Sequence, residues 1–164
     1  METSATTGGG VLQLILLGAF LVIAILFLMT EQSTLRTIRT ENRTLQPGLV
    51  WLQLIPLFGQ VWQFIVVTRI ADSIRKEIAS WDNDSILGAE ALAIEDGNKR
   101  PGYGIGIAYC TLNVISILLN YLLSRSSPVI TGVIGLGATV CWVSYWVTLS
   151  GYKKKLRQKN LATL

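Results

Sequence analysis

Along this chain the apolar residues come in long unbroken runs, not in the alternation of a half-buried strand or the one-sided stripe of a soluble helix. Four stretches carry no formal charge: Thr3–Thr30, Thr44–Thr68, Pro101–Ser124 and Ser126–Tyr152. About 20 apolar residues, each rising ~1.5 Å, cross a hydrocarbon core of about 30 Å. The pattern therefore predicts an all-α polytopic membrane protein with about four spans, at 11–29, 48–68, 103–124 and 129–152. Only Arg125, Ser126, Ser127 and Pro128 join the last two, which predicts a C-terminal antiparallel helical hairpin. The whole chain, 1–164, then forms one transmembrane domain with a polar segment at 69–102 and a basic tail at 153–164.

The first run competes with a cleaved signal peptide. It lacks a basic start, its apolar core is too long, and Leu28-Met29-Thr30-Glu31 stands where a small-residue cleavage site belongs, so a retained helix is expected. Within the second run, Gln53, Gln60 and Gln63 share one helical face and Trp51 and Trp62 the other. Buried amides need partners, so the glutamine face should meet protein or water, with a kink at Pro56–Gly59. Beyond Thr68 the stripe Ile70, Ile74, Ile78 and Trp81 carries the helix on to about Trp81, with Arg69, Asp72, Arg75 and Lys76 at ion-pair spacing. Residues 82–102 form a polar acidic loop, with room for a short helix over Ser85–Glu95 capped by Asp84 or Ser85. A calcium loop opening at Asp82 fails, because Leu87 and Ala93 occupy its Gly and Glu positions.

The third run places Gly102, Gly106 and Cys110 four apart, a face that admits another backbone closely, and Asn113, Ser116 and Asn120 on a second, polar face. The fourth carries Ser127, Thr131, Gly135 and Thr139 at the same spacing, the expected packing seam of the hairpin. Trp142, Tyr145, Trp146 and Tyr152 read as an aromatic belt at the inner interface.

Composition narrows the chemistry. Charged residues are 15% of the chain, against about a quarter in soluble domains, and mean hydropathy is +0.49, which excludes a soluble globular domain, a disordered chain and a disulfide scaffold. There is no histidine, and Cys110 and Cys141 stand 31 residues apart inside uncharged runs, so zinc, haem and His-dependent nucleophilic catalysis are excluded. The two thiols are expected to pack as small residues, a disulfide requiring that they face each other at one depth. No phosphate-binding or nucleophile-elbow motif occurs; a serine–lysine mechanism is the one catalytic arrangement left, and no enzyme activity or cofactor is expected.

Basic residues set orientation. With four spans, ten (five in 69–100, five in the tail) lie on one side and Arg36, Arg39, Arg43 and Arg125 on the other, giving a multi-pass plasma (inner) membrane protein, N-in/C-in. If 48–68 instead dips in and returns at Pro56–Gly59, the count becomes thirteen against one, at the cost of irregular backbone at membrane depth. The glutamine and tryptophan faces favour the continuous helix. Lys153, Lys154, Lys155, Arg157 and Lys159 follow the last span directly; without interleaved aromatics they point to anionic lipid headgroups and not to nucleic acid.

The run Asn42-Arg43-Thr44, Pro47-Gly48-x-Val50-Trp51-Leu52-x-Leu54-Ile55-Pro56-Leu57-Phe58 and Val61-Trp62-Gln63-Phe64-Ile65-Val66-Val67-x-Arg69-Ile70-Ala71-Asp72-Ser73 resembles a group of small multi-pass bacterial membrane proteins of Bacteroidetes type. Tyr103-Gly104-x-Gly106-x-Ala108-Tyr109-Cys110 and Cys141-Trp142-x-x-Tyr145-Trp146 with Gly151-Tyr152 are similar to that group too. The resemblance covers roughly residues 42–156 and implies a bacterial inner-membrane protein with no activity attached.

Three functions follow as expectations, the last a membrane enzyme acting on lipids through Asp82, Asp84, Glu95 or Lys99 of the 69–102 loop, whose spacing matches no mechanism. Small-residue seams predict a non-enzymatic packing module, acting as a homo-oligomer or as an accessory subunit of a membrane complex. The alternative is an oligomeric channel or transporter subunit whose neutral pore is wetted by Gln53, Gln60, Gln63, Asn113 and Asn120. Against it stands the expectation that no ionisable residue lies inside a span.

Overall fold

The structure is a computed structural model that describes residues 3–84, 100–122 and 128–162. The expected Ser85–Glu95 helix and residues 125–127 of the hairpin turn fall outside the described residues. In chain order the elements are α1 (Thr3–Thr37), a 3-10 helix (Pro47–Leu54), α2 (Phe58–Asp84), α3 (Tyr103–Leu122) and α4 (Pro128–Ala162). Three helices contain stretches long and apolar enough to cross a membrane: Gly10–Thr37, Tyr103–Tyr121 and Val129–Leu161.

The stretch 48–68 is not among them, and its expected continuous helix is broken. Pro56 has no N–H to donate, and Leu57 takes a left-handed φ of 63°, so the chain reverses between the 3-10 helix and α2. The two arms fold back on each other: the Trp62 indole N–H donates to the Leu49 carbonyl at 2.8 Å, and Gly59 lies so close to Gln53 that an added Cβ would collide with its carbonyl oxygen. Only glycine fits there.

Helix directions follow from who touches whom. Phe27 meets Trp142 and Trp146, Thr30 accepts from the Trp146 indole at 3.0 Å, and the Thr37 carbonyl accepts from Asn160 at 3.0 Å. Both sets of numbers rise together, so α1 and α4 run parallel and their C-terminal ends share one end of the bundle. Four alternating spans would have put Thr37 and Asn160 on opposite sides. Gly102 faces Thr148, Gly106 faces Tyr145 and Gly137 faces Leu112; here one number falls as the other rises, so α3 and α4 are antiparallel, as the hairpin requires.

The expected aromatic belt is largely an internal seam. Phe27 sits edge-on to Trp142, Tyr145 and Trp146 at 5.5, 6.1 and 5.9 Å between ring centroids, and Tyr145 is buried. Such edge-to-face contacts each add about 0.5–1.5 kcal/mol beyond area burial, which explains why these rings turn toward α1. Nor does α4 end at Tyr152: the basic tail is helical to Ala162, and Leu156 is buried.

The second half of α2 behaves as the stripe predicts, with Ile70, Ile74 and Ile78 buried and Trp81 packed on the core. The connector 38–46 is fastened to it by Glu77, which is fully buried. Glu77 accepts from the Arg39 backbone N–H at 3.2 Å, Arg39 Nε at 3.1 Å and Asn42 Nδ2 at 2.8 Å. Arg100 pairs with Asp72 at 3.2 Å, so this end ties connector, α2 and the start of α3 together. The other end is bare. Leu14, Leu17 and Phe20 of α1 and Val133, Leu136 and Val140 of α4 are all exposed.

Gly59→Ala is expected to lower the stability of the detergent-purified protein by about 1–3 kcal/mol through overpacking against Gln53. Gly18→Ala, where a Cβ meets nothing, should change it by no more than about 0.5 kcal/mol. Denaturation in mixed micelles followed by tryptophan fluorescence separates the two.

Candidate functional site

The hairpin of the 3-10 helix and α2 delivers its glutamines to one place although they do not share a continuous helix. Gln53, Gln60 and Gln63 line a cavity of about 390 Å³, partly open to its surroundings. Across from them stand Tyr109, Asn113 and Ser116 of α3 and Thr139 of α4, while Phe20, Ala24 and Phe27 of α1 form an apolar wall. Asn113 is ten residues into α3, about 15 Å of rise from its start, so the hairpin tip lies level with the middle of that helix.

The amide side chains at the cavity find partners within the protein. Gln63 is buried and donates to Gln60 Oε1 at 3.2 Å, and Tyr109 is hydrogen-bonded with Asn113. Gln53 turns the other way, donating its Nε2 to Glu31 Oε2 at 2.5 Å.

Glu31 overturns the expectation that no ionisable group lies inside a span. It sits on α1 within the stretch Gly10–Thr37 and is fully buried. Its second oxygen, Oε1, is buried with no hydrogen-bond partner, and the Tyr145 hydroxyl is in the same condition. Glu31 lies close enough to Tyr109, Cys110 and Tyr145 to act on each electrostatically. Leaving a buried polar group unpaired costs about 1–3 kcal/mol, more if it is charged. A fully buried, half-satisfied carboxyl on an apolar helix is the first place to look for function.

A signal for Glu31 was present in the chain. The buried stripe of α1 reads Phe27, Glu31, Thr34 or Leu35, Ile38, one helical period throughout. Dividing the chain at its charges ended the first span before this stripe began. Tyr109 and Tyr145 carried no such mark, since their positions depend on how α3 and α4 pack.

The remaining sequence candidates divide. Gly102, at φ 71°, and Gly106 do form a close-approach face, filled by Tyr145 and by Val67, with Cys110 buried beside them. Thr131 is half-buried, Gly135 has open space where a Cβ would stand, and Thr139 is exposed at the cavity rim and donates to the Gly135 carbonyl at 2.9 Å. Asn120 is outside the cavity, exposed and donating to the Ser116 carbonyl at 2.8 Å. Cys110 and Cys141 are free thiols. Lys154, Lys155 and Arg157 are exposed on the C-terminal turns of α4, with Lys153 and Lys159 half-buried beside them. Among the described residues no group of three His, Cys, Asp or Glu side chains is placed to hold a metal ion.

Compared with family models, curated proteins and solved structures, the chain matches none.

The Glu31–Gln53 pair can be weighed by a double-mutant cycle. Gln53→Leu alone leaves both carboxyl oxygens of Glu31 unpartnered and is expected to cost about 1–3 kcal/mol. Adding Glu31→Leu should recover most of that loss, giving a coupling energy of about 1 kcal/mol or more. Additive effects in micelle denaturation would show that the pair is not coupled.

Proposed function

We propose that the protein is a non-enzymatic multi-pass inner-membrane protein that acts as a channel or transporter subunit. The observation that carries this is the cavity into which Gln53, Gln60, Gln63 and Asn113 converge, with a fully buried carboxyl, Glu31, bonded to Gln53 behind its wall. A pure packing role has less behind it, because the Gly102–Gly106 face is already filled by Tyr145 and Val67 of the same chain. The outer halves of α1 and α4 have no protein between them, so a continuous path across the membrane needs a second copy or another subunit as its wall.

In this reading α1, α3 and α4 cross the membrane and the Pro47–Gly59 hairpin is re-entrant, entering and leaving on one side. That side then carries thirteen of the fourteen basic residues, all but Arg125, which makes it cytoplasmic by the positive-inside rule. The arrangement is N-out/C-in, in place of the N-in/C-in expected from four spans, and agrees with the contact between Thr37 and Asn160. The basic turns of α4 then face anionic headgroups, each Lys or Arg contributing about 1 kcal/mol.

Topology and transport are tested separately. A membrane-impermeant maleimide on intact cells should label Ser4→Cys, whereas Glu41→Cys and Gln158→Cys should react only after permeabilisation. Labelling of Glu41→Cys from outside refutes the re-entrant hairpin. Vesicles bearing purified protein should pass small polar solutes or monovalent ions faster than empty vesicles, and Gln60→Leu with Gln63→Leu should slow them. Neither conductance nor flux above empty vesicles refutes the transport role.

A further inference from the structure

We propose that Glu31 is the anionic ligand of a monovalent cation site behind the cavity wall at Gln53, with the Tyr145 hydroxyl and the Gln53 side chain as its neutral neighbours. The proposal rests on the intramembrane cavity of the preceding section and names what enters it.

The first argument is charge. The groups that bond or act on Glu31 are Gln53 from the 3-10 helix, Tyr109 and Cys110 from α3, and Tyr145 from α4, none of them a cation. Arg39 is held by Glu77 and Arg100 by Asp72, both at the polar end. A carboxyl with no countercharge in a water-poor site either holds a proton or takes a cation from elsewhere, and the second oxygen donor beside it favours the cation.

Donor chemistry selects which cation. Two oxygens in this cluster are buried and without hydrogen-bond partners, Glu31 Oε1 and the Tyr145 hydroxyl. Oxygen donors suit hard ions, and calcium or magnesium sites gather several carboxylates, waters or phosphates around the ion. A single carboxylate among neutral groups balances one positive charge and leaves a divalent ion uncompensated. Access is by the cavity, whose wall includes Gln53, the amide bonded to Glu31, and Tyr109, which Glu31 acts on electrostatically.

The test uses the full-length protein in detergent at neutral pH, with choline chloride holding ionic strength constant. Sodium or potassium chloride should raise the thermal midpoint saturably above the choline baseline. Glu31→Gln should abolish that response while keeping the helical circular dichroism spectrum and elution volume. Tyr145→Phe, which removes one oxygen and preserves the ring, should weaken the apparent affinity by about tenfold, and it keeps the test decisive if Glu31→Gln does not fold. Equal midpoints in sodium, potassium and choline overturn the site, as does a cation response that survives Glu31→Gln. A response to pH with none to sodium or potassium means the carboxyl holds only a proton, and also overturns it. Flux of neutral solutes in vesicles without cation binding leaves the transport reading standing and rejects this one, so the two fail separately.

Discussion

A chain that reverses sharply between two packed helices must satisfy its own backbone groups, and this requirement governs the whole arrangement. The reversal at Ile55-Pro56-Leu57 meets it locally. Ile55 donates to the Leu52 carbonyl, Phe58 to Pro56, Gly59 to Ile55 and Gln60 to Leu57, all within 2.7–3.2 Å. Pro56 helps by having no donor to satisfy. What the turn cannot supply is a wall, and α1, α3 and α4 provide it, touching the hairpin through Glu31 on α1 and Gly106 on α3. Gly59 lets the two arms of the hairpin close, and closing them brings Gln53 within reach of α1.

From that contact follows the lopsided build. Packing is dense only from the hairpin tip toward the Glu77 end, where the connector, the rest of α2 and the helical basic tail of α4 all meet. Beyond the tip the three long helices present exposed leucine, isoleucine and valine, a surface suited to lipid tails or to another helix. The two ends are stabilised by different physics. At one, Arg39, Asn42 and Glu77 exchange directional hydrogen bonds at the edge of water; at the other, apolar helices need only a non-aqueous solvent.

Much of this was readable in the chain, and the failures share one cause. Charge-free length found α1, α3, α4 and the antiparallel hairpin, and the period of Ile70, Ile74 and Ile78 found the continuation of α2. Periodicity also placed Gln53, Gln60 and Gln63 together, although for the wrong reason: they meet because the chain folds back on itself, which brings both arms to one level. Pro56 and Gly59 were visible as a weak point, but whether a proline bends a helix or reverses it depends on neighbours that a local window does not contain. Glu31 was missed for the same reason. A charge ends an apolar run in a sequence, whereas in the fold it is one more position on a stripe running from Phe27 to Ile38. Trp142, Tyr145 and Trp146 were assigned to an interface with water because their partner, Phe27, is more than a hundred residues away.

Glu31 and Glu77 make the point most directly, since both are fully buried carboxyls and their surroundings differ. Glu77 has a guanidinium, a backbone amide and a side-chain amide arranged around its two oxygens, and its contribution is structural, holding the connector to α2. Glu31 has one amide on one oxygen and nothing on the other. If holding helices together were the whole of its role, a glutamine or leucine would serve at lower cost, because a half-satisfied buried carboxyl weakens a fold more than an apolar residue does. A satisfied buried charge is explained by the fold that satisfies it; an unsatisfied one beside an open cavity calls for something that enters from outside.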